Sequence, residues 1–258
     1  MFKFMKAAPS PGGGGGVQWG KEREDTDMQE QLAALAKRID HTILKADATR
    51  EQVLEACQAC KIYGFGMIAI NSAQVALCRH ALAGSGVHVG AAISFPLGQT
   101  PLAVKRYETA EALEEGADEI DYVANLTDVK DGRWEKVQEE MQALTELCHQ
   151  RGALIKVIFE NCYLTQEQIR RMAEIARRVG PDFIKTSTGF GTGGARVEDV
   201  RLMKEAAGPR VAVKAAGGIR NLDTLLAMER AGATRFGTSA GVAIMEEAKA
   251  RLAGGGTR

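Results

Sequence analysis

The chain has 258 residues, room for one large α/β domain or two small ones. Hydrophobic residues make up 45% and charged residues 26%, which excludes a disordered chain. Lys+Arg and Asp+Glu balance at 33 each, which removes the basic excess of a nucleic-acid binder. No apolar run approaches the roughly 18–20 residues that span a bilayer, so no membrane partner is expected.

The first 27 residues stand apart. Pro9-Ser10-Pro11 and the run Gly12 to Gly16 cannot build a core, and charged residues follow from Lys21 to Asp27. The expectation is a flexible extension over 1–27, with no signal peptide. A short helix is predicted over 28–37. From there the chain alternates between β-branched runs and longer helical patterns. Strands are predicted at 39–44, 67–70, 87–93, 119–123, 154–159, 183–185, 211–214 and 235–237. Helical patterns fall near 50–62, 73–83, 101–115, 134–150, 166–179, 197–206, 222–231 and 241–252. Residues 253–258 should fray.

Start signals support several of these helices. Thr49 and Thr165 each precede a Gln three residues on, the capping-box spacing. Asn221 suits an N-cap, and Pro101 suits the first helical position. Gly116, Gly152, Gly180 and Gly232 stand where a helix should stop, each just before a strand. Continuous apolar strands joined through helices imply a parallel sheet buried on both faces. Eight such units in about 220 residues predict a single (β/α)8 TIM barrel over 28–252. The runner-up is an open doubly wound sheet, but no dinucleotide fingerprint follows the first strand.

Cysteines are odd in number, at 57, 60, 78, 148 and 162, and no secretory signal accompanies them. That pattern suits reduced thiols in the cytoplasm. Cys57-x-x-Cys60 lies in a helical pattern with Val53 and Leu54, which assigns it to core packing. His41, His80, His88 and His149 form no metal-binding spacing, so neither a metal nor another cofactor is expected.

In a barrel of this kind functional groups sit at the C-terminal ends of strands. Asp121 follows Asp118-Glu119-Ile120, Lys156 lies within Leu154-Ile155-Lys156-Val157-Ile158, Lys185 ends the sixth strand and Lys214 the seventh. Strands lie about 4.8 Å apart, so these groups can converge. A buried lysine loses affinity for its proton, and a second cation nearby lowers it further, leaving an amine able to attack carbonyl carbon. The bland alternative is a structural ion pair between Asp121 and Lys156 or Lys214. Gly217-Gly218 after the seventh strand, and Gly237-Thr238-Ser239 after the eighth and opening a helix, occupy the recurrent phosphate position of the fold.

Six separated motifs now resemble one family in its own order. They are Ile39-Asp40-His41-Thr42-Ile43-Leu44-Lys45, Phe95-Pro96-Leu97-Gly98, Gly116-Ala117-Asp118-Glu119-Ile120-Asp121, Lys185-Thr186-Ser187-Thr188-Gly189-Phe190, Lys214-Ala215-Ala216-Gly217-Gly218-Ile219-Arg220 and Gly237-Thr238-Ser239-Ala240-Gly241. The stretch from about residue 30 to 252 resembles deoxyribose-phosphate aldolase. The resemblance implies a metal-free class I aldolase. Such enzymes cleave 2-deoxy-D-ribose 5-phosphate reversibly into D-glyceraldehyde 3-phosphate and acetaldehyde. It implies Lys185 as the Schiff-base lysine, Lys214 as the lysine that depresses its pKa, Asp121 as general acid/base and Lys156 as a supporting group. It implies Gly189, Gly217, Gly218, Gly237 and Ser239 at the phosphate. Partners would be the phosphorylated sugar, acetaldehyde and further copies of the chain, as a dimer or tetramer.

The chain departs from the family in places. Ala69-Ile70-Asn71-Ser72 replaces a frequent Cys-Val-Asn-Pro, which predicts better aldehyde tolerance. Ala216 replaces a frequent Ser, Asn161 a frequent Thr, and Phe190 a basic residue of some members. Two other readings compete: a Schiff-base aldolase for a different phosphorylated sugar or keto acid, and a non-catalytic sugar-phosphate binder. Retention of Asp121, Lys185 and Lys214 together disfavours the second.

Overall fold

Apolar runs flanked on both sides by helices form strands buried on both faces, and that burial pattern governs this fold. In a computed structural model of the chain, residues 16–254 are described. The strands are β1 (Ile39–Thr42), β2 (Met67–Asn71), β3 (His88–Ile93), β4 (Glu119–Val123), β5 (Leu154–Ile158), β6 (Phe183–Lys185), β7 (Ala212–Ala216) and β8 (Arg235–Thr238). Each pairs in parallel with the next, and β8 returns to β1, closing the barrel. The expected TIM barrel is therefore present, and the open sheet is excluded.

Helices α1 (Gly16–Ala36), α2 (Arg50–Tyr63), α3 (Val75–Ala81), α4 (Leu102–Glu114), α5 (Leu126–Lys130), α6 (Trp134–Gln150), α7 (Gln166–Val179), α8 (Val197–Ala207), α9 (Leu222–Ala231) and α10 (Gly241–Gly254) accompany the strands. Both capping boxes form: the Thr49 and Thr165 hydroxyls accept the N–H of Gln52 and Gln168, whose side chains accept the cap N–H in return. Gly180 and Gly232 end α7 and α9 with φ of +84° and +114°, a backbone that a side chain would strain. Pro101 differs from expectation. It is the cap rather than the first helical residue, and its carbonyl accepts the N–H of Val104 and Lys105. The short α5 was not foreseen; Asn125 caps it by accepting from Thr127 and Asp128.

The N-terminal boundary is corrected. Helix α1 begins at Gly16, not near 28, so the charged run from Lys21 to Asp27 is helical. Polar sequence is no bar to a helix whose far end is packed, and α1 lies against α10 with Leu35 and Ala36 fully buried. The rest of the extension expected to be flexible, residues 1–15, and the tail 255–258 lie outside the described residues. Among the described residues no helix is long and apolar enough to cross a membrane. Cys57 and Cys60 are buried in the core, as the helical pattern required.

Two strand ends move in ways that matter for chemistry. Strand β7 runs on to Ala216, so Lys214 sits mid-strand rather than at its end. Strand β8 runs on to Thr238, so Gly237 lies in the barrel wall rather than in a loop.

Candidate active site

Alternation along β4 sends Glu119 and Asp121 to the same side, into the barrel. Register then supplies their partners: Asp121 lies level with Lys156 on β5, and Lys185 level with Lys214 on β7. The four groups converge. Asp121 Oδ2 accepts from Lys185 Nζ at 2.8 Å and from Lys214 Nζ at 2.7 Å, while Oδ1 accepts from Lys156 Nζ at 2.7 Å. Lys156 and Lys214 are 0% exposed, and Asp121 and Lys185 only 3%.

Two of the lysines have a second carboxylate. Lys214 Nζ also lies 2.5 Å from Asp40 Oδ2, and Lys156 Nζ also pairs with Glu119. Beneath them Arg235 spans Asp40, at 2.9 and 2.5 Å, and Glu119, at 3.2 and 3.3 Å. His88 Nδ1 stands 2.7 Å from Glu119 Oε1 at the same end.

Environment separates these groups. Burial pulls Lys185 down to about 8, aided by the charges on Lys214 and Lys156 and opposed by Asp121. Burial would likewise lower Lys156, but Asp121 and Glu119 overcome it and hold that lysine above its ordinary value. For Asp121, burial would raise the carboxyl; the three ammonium groups prevail and hold it well below the usual range. One amine is thus made available beside a carboxylate locked in its ionised form.

A cavity of about 710 Å³ opens above Lys185, at the C-terminal ends of β1, β6, β7 and β8. Gly189, Gly217, Gly218, Gly237 and Ser239 all line it, as does Phe190. Gly217 packs backbone to backbone on the facing loop: a Cβ there would stand 3.0 Å from Gly194 Cα, and its φ is +85°. Gly237 also has a packing reason to be bare. A Cβ on it would stand 2.9 Å from Ala216 Cβ and 3.2 Å from Lys214 Cε, so its bareness makes room for Lys214. Glu160, at φ +54°, pins the other wall. Its carboxylate accepts the Thr188 N–H at 3.2 and 3.3 Å and also the Thr188 hydroxyl. Across the mouth Phe95 meets Phe190 edge to face, with centroids 5.4 Å apart.

Residues 34–247 match the family model described as DeoC/LacD family aldolase. The chain belongs to the DeoC/LacD family of aldolases. Among relatives of this aldolase, a deoxyribose-phosphate aldolase from Lactobacillus acidophilus is 51% identical, over 87% of this chain and 95% of its own. A second, from Thermococcus gammatolerans, is 48% identical over 83% and 96%. Among solved structures, the deoxyribose phosphate aldolase of Aeropyrum pernix, described as a unique tetrameric structure, superposes with a TM-score of 0.79. It is 33% identical, with 87% of this chain and 94% of that one covered.

Sequence reasoning brought Asp121, Lys156, Lys185 and Lys214 together correctly as a cluster, and the structure joins them directly. It passed over Asp40, Glu119, Arg235 and His88. The available signal was the spacing of two between Glu119 and Asp121, which places both on one strand face.

Proposed function

We propose that this aldolase cleaves 2-deoxy-D-ribose 5-phosphate reversibly to D-glyceraldehyde 3-phosphate and acetaldehyde, with Lys185 as the Schiff-base nucleophile. The observation that carries the reading is that Lys185, alone of the clustered lysines, lines the cavity, with its amine brought to about 8 and 2.8 Å from a carboxylate. Family relatives named for this activity at 51% and 48% identity support the substrate.

Neutral Lys185 attacks C1 of the open-chain aldehyde, and loss of water leaves an iminium. The iminium withdraws electrons, so the C2–C3 bond breaks as the C3 hydroxyl gives up its proton, through water, to the Asp121 carboxylate, and C3–C5 leave as D-glyceraldehyde 3-phosphate. The enamine then takes a proton at C2, and hydrolysis frees acetaldehyde and the amine. The three lysines hold Asp121 as a carboxylate at rest, so it enters the cycle as the base and returns the proton it has taken up. The Lys214 ammonium, 2.7 Å from it, is the adjacent group with a proton to give, and Asp121 aims it. Gly189, Gly217, Gly218, Gly237 and Ser239 line the cavity, and Ser239 leads into α10, where backbone N–H groups and a helix start suit a phosphate. Assembly as a dimer or tetramer is consistent with the tetrameric relative. Five free cysteines among the described residues suit a reducing cytoplasm.

Borohydride trapping with acetaldehyde and peptide mapping tests the nucleophile. The adduct is expected on Lys185; an adduct on Lys214 or Lys156, or none, would overturn the assignment. Coupled detection of glyceraldehyde 3-phosphate from deoxyribose 5-phosphate tests the substrate. Light scattering tests the assembly.

A further inference from the structure

One ion-pair cluster inside the barrel joins three carboxylates, Asp40, Glu119 and Asp121, to four basic groups, Lys156, Lys185, Lys214 and Arg235. A low-dielectric interior tolerates paired charge and resists unpaired charge, so the basic group with the fewest carboxylate partners is the one readiest to go without its proton. Partners decide which. Lys214 has Asp40 besides Asp121, Lys156 has Glu119 besides Asp121, and Arg235 grips Asp40 and Glu119 together. Lys185 has Asp121 alone in this cluster, and it shares that oxygen, Oδ2, with Lys214. It is the basic group left over when the others are matched.

We propose that Arg235 and Glu119 are positioning residues of the reaction: by fixing the charge balance below the cavity, they assign the missing proton to Lys185. Neither lines the cavity. They stand at the opposite, N-terminal end of the barrel, at the starts of β8 and β4. The inference rests on the reading of Lys185 as nucleophile and concerns how that amine is kept neutral.

Other charged groups face these two ends. Asp121, Lys156 and Lys214 face Lys185, as does Glu160 from the end of β5, whose carboxylate Thr188 already binds. Besides Asp40 and Glu119, Arg235 faces Lys156 and His88, and His88 in turn faces Asp118. The His88 side chain is 49% exposed, so its charge is met by solvent as well as by Glu119. Removing the Arg235 charge would leave carboxylates in excess, and Lys185 would hold its proton more tightly. Removing Glu119 as well would restore the balance.

The test is the pH profile of acetaldehyde trapping by cyanoborohydride, with the adduct mapped in every variant. Wild type comes first: a profile that rises near pH 8 with the adduct on Lys185 validates the underlying reading, and its failure there is a failure of that reading. Arg235→Met should then move the rise up by about one pH unit, a trapping loss of about tenfold at pH 7. Arg235→Lys should keep the wild-type position. The double variant Arg235→Met with Glu119→Gln should return toward it, which a purely structural role for the pair would not do. An unmoved profile in Arg235→Met, or a double variant displaced at least as far as the single one, would overturn the proposal. Should Arg235→Met fail to fold, Glu119→Gln alone decides, since loss of a carboxylate should move the rise to lower pH; a rise left in place or moved to higher pH would refute the idea.

Discussion

Lys185 is held in a state that its own side chain resists, and stability should show it. Burial brings the folded amine down to about 8, against about 10.4 for an unfolded lysine. Below pH 8 both states are protonated and the cost of burying the ammonium is fully present. Between the two values the unfolded chain binds more protons, so stability rises with pH, by up to about 3 kcal/mol in all. Tm measured from pH 7.5 to 10 should therefore climb in wild type and stay flatter in Lys185→Met. That variant should lose all cleavage yet match or exceed the wild-type Tm at pH 7, because Asp121 keeps Lys156 and Lys214. A marked drop in Tm would show that the ammonium contributes stability instead of costing it. Gly237→Ala makes the opposite kind of change: its methyl would press on Lys214 Cε and Ala216. Overpacking should cost about 1–3 kcal/mol, and kcat should fall further than that loss explains, by roughly tenfold, with the displacement of Lys214.

Two loops carry the cavity wall next to the amine, and they lean on each other. Ala195 N–H donates to Gly217 O at 3.0 Å, and a Cβ on Gly194 would stand 2.3 Å from that same oxygen. Gly194→Ala must push the β7–α9 turn away from its place on the cavity. Steady-state kinetics should show KM for the phosphorylated sugar rising about tenfold or more, with kcat changed less, since Lys185 and Asp121 are untouched. Helix capping is expected to behave differently: Thr165→Ala removes the cap of α7 and should cost about 1 kcal/mol in denaturant titration without changing either constant. These helices were legible because their signals are local. Thr165 with Gln168, and Gly180 after Val179, lie within one turn of the ends they set. Strands were legible because burial on both faces leaves an unbroken apolar run. The lower half of the charge cluster was not. A Glu or Arg at a strand start, such as Glu119 or Arg235, reads as the place where a strand emerges into water, and only closure of the barrel turns it inward. The onset of α1 was hidden for a related reason, since a solvated charged run looks the same whether coiled or helical.

Acid should test the whole molecule. Asp121 is held well below its ordinary range, and so is Glu119, where burial is overcome by Lys156, His88 and Arg235. Groups lowered in this way contribute stability above their unfolded values, near 4, and lose it as pH falls through the folded ones. Tm should hold from pH 7 down to about 5 and fall steeply below about 4. Added salt should change that curve little, because the cluster lies beyond the reach of counterions.

Closure has one more consequence, in time rather than in space. Strand β1 pairs with β8, Arg38 clasps Ala233 O and Thr234 O, and Asp40 waits for Arg235, 195 residues further along the chain. A ribosome adding about 5–20 residues each second needs on the order of ten to forty seconds to cover that distance. Throughout that interval the first strand has been made and its last neighbour has not, so β1 stands as an open edge and Asp40 lacks Arg235. The nascent chain must be kept from pairing elsewhere until its final strand emerges.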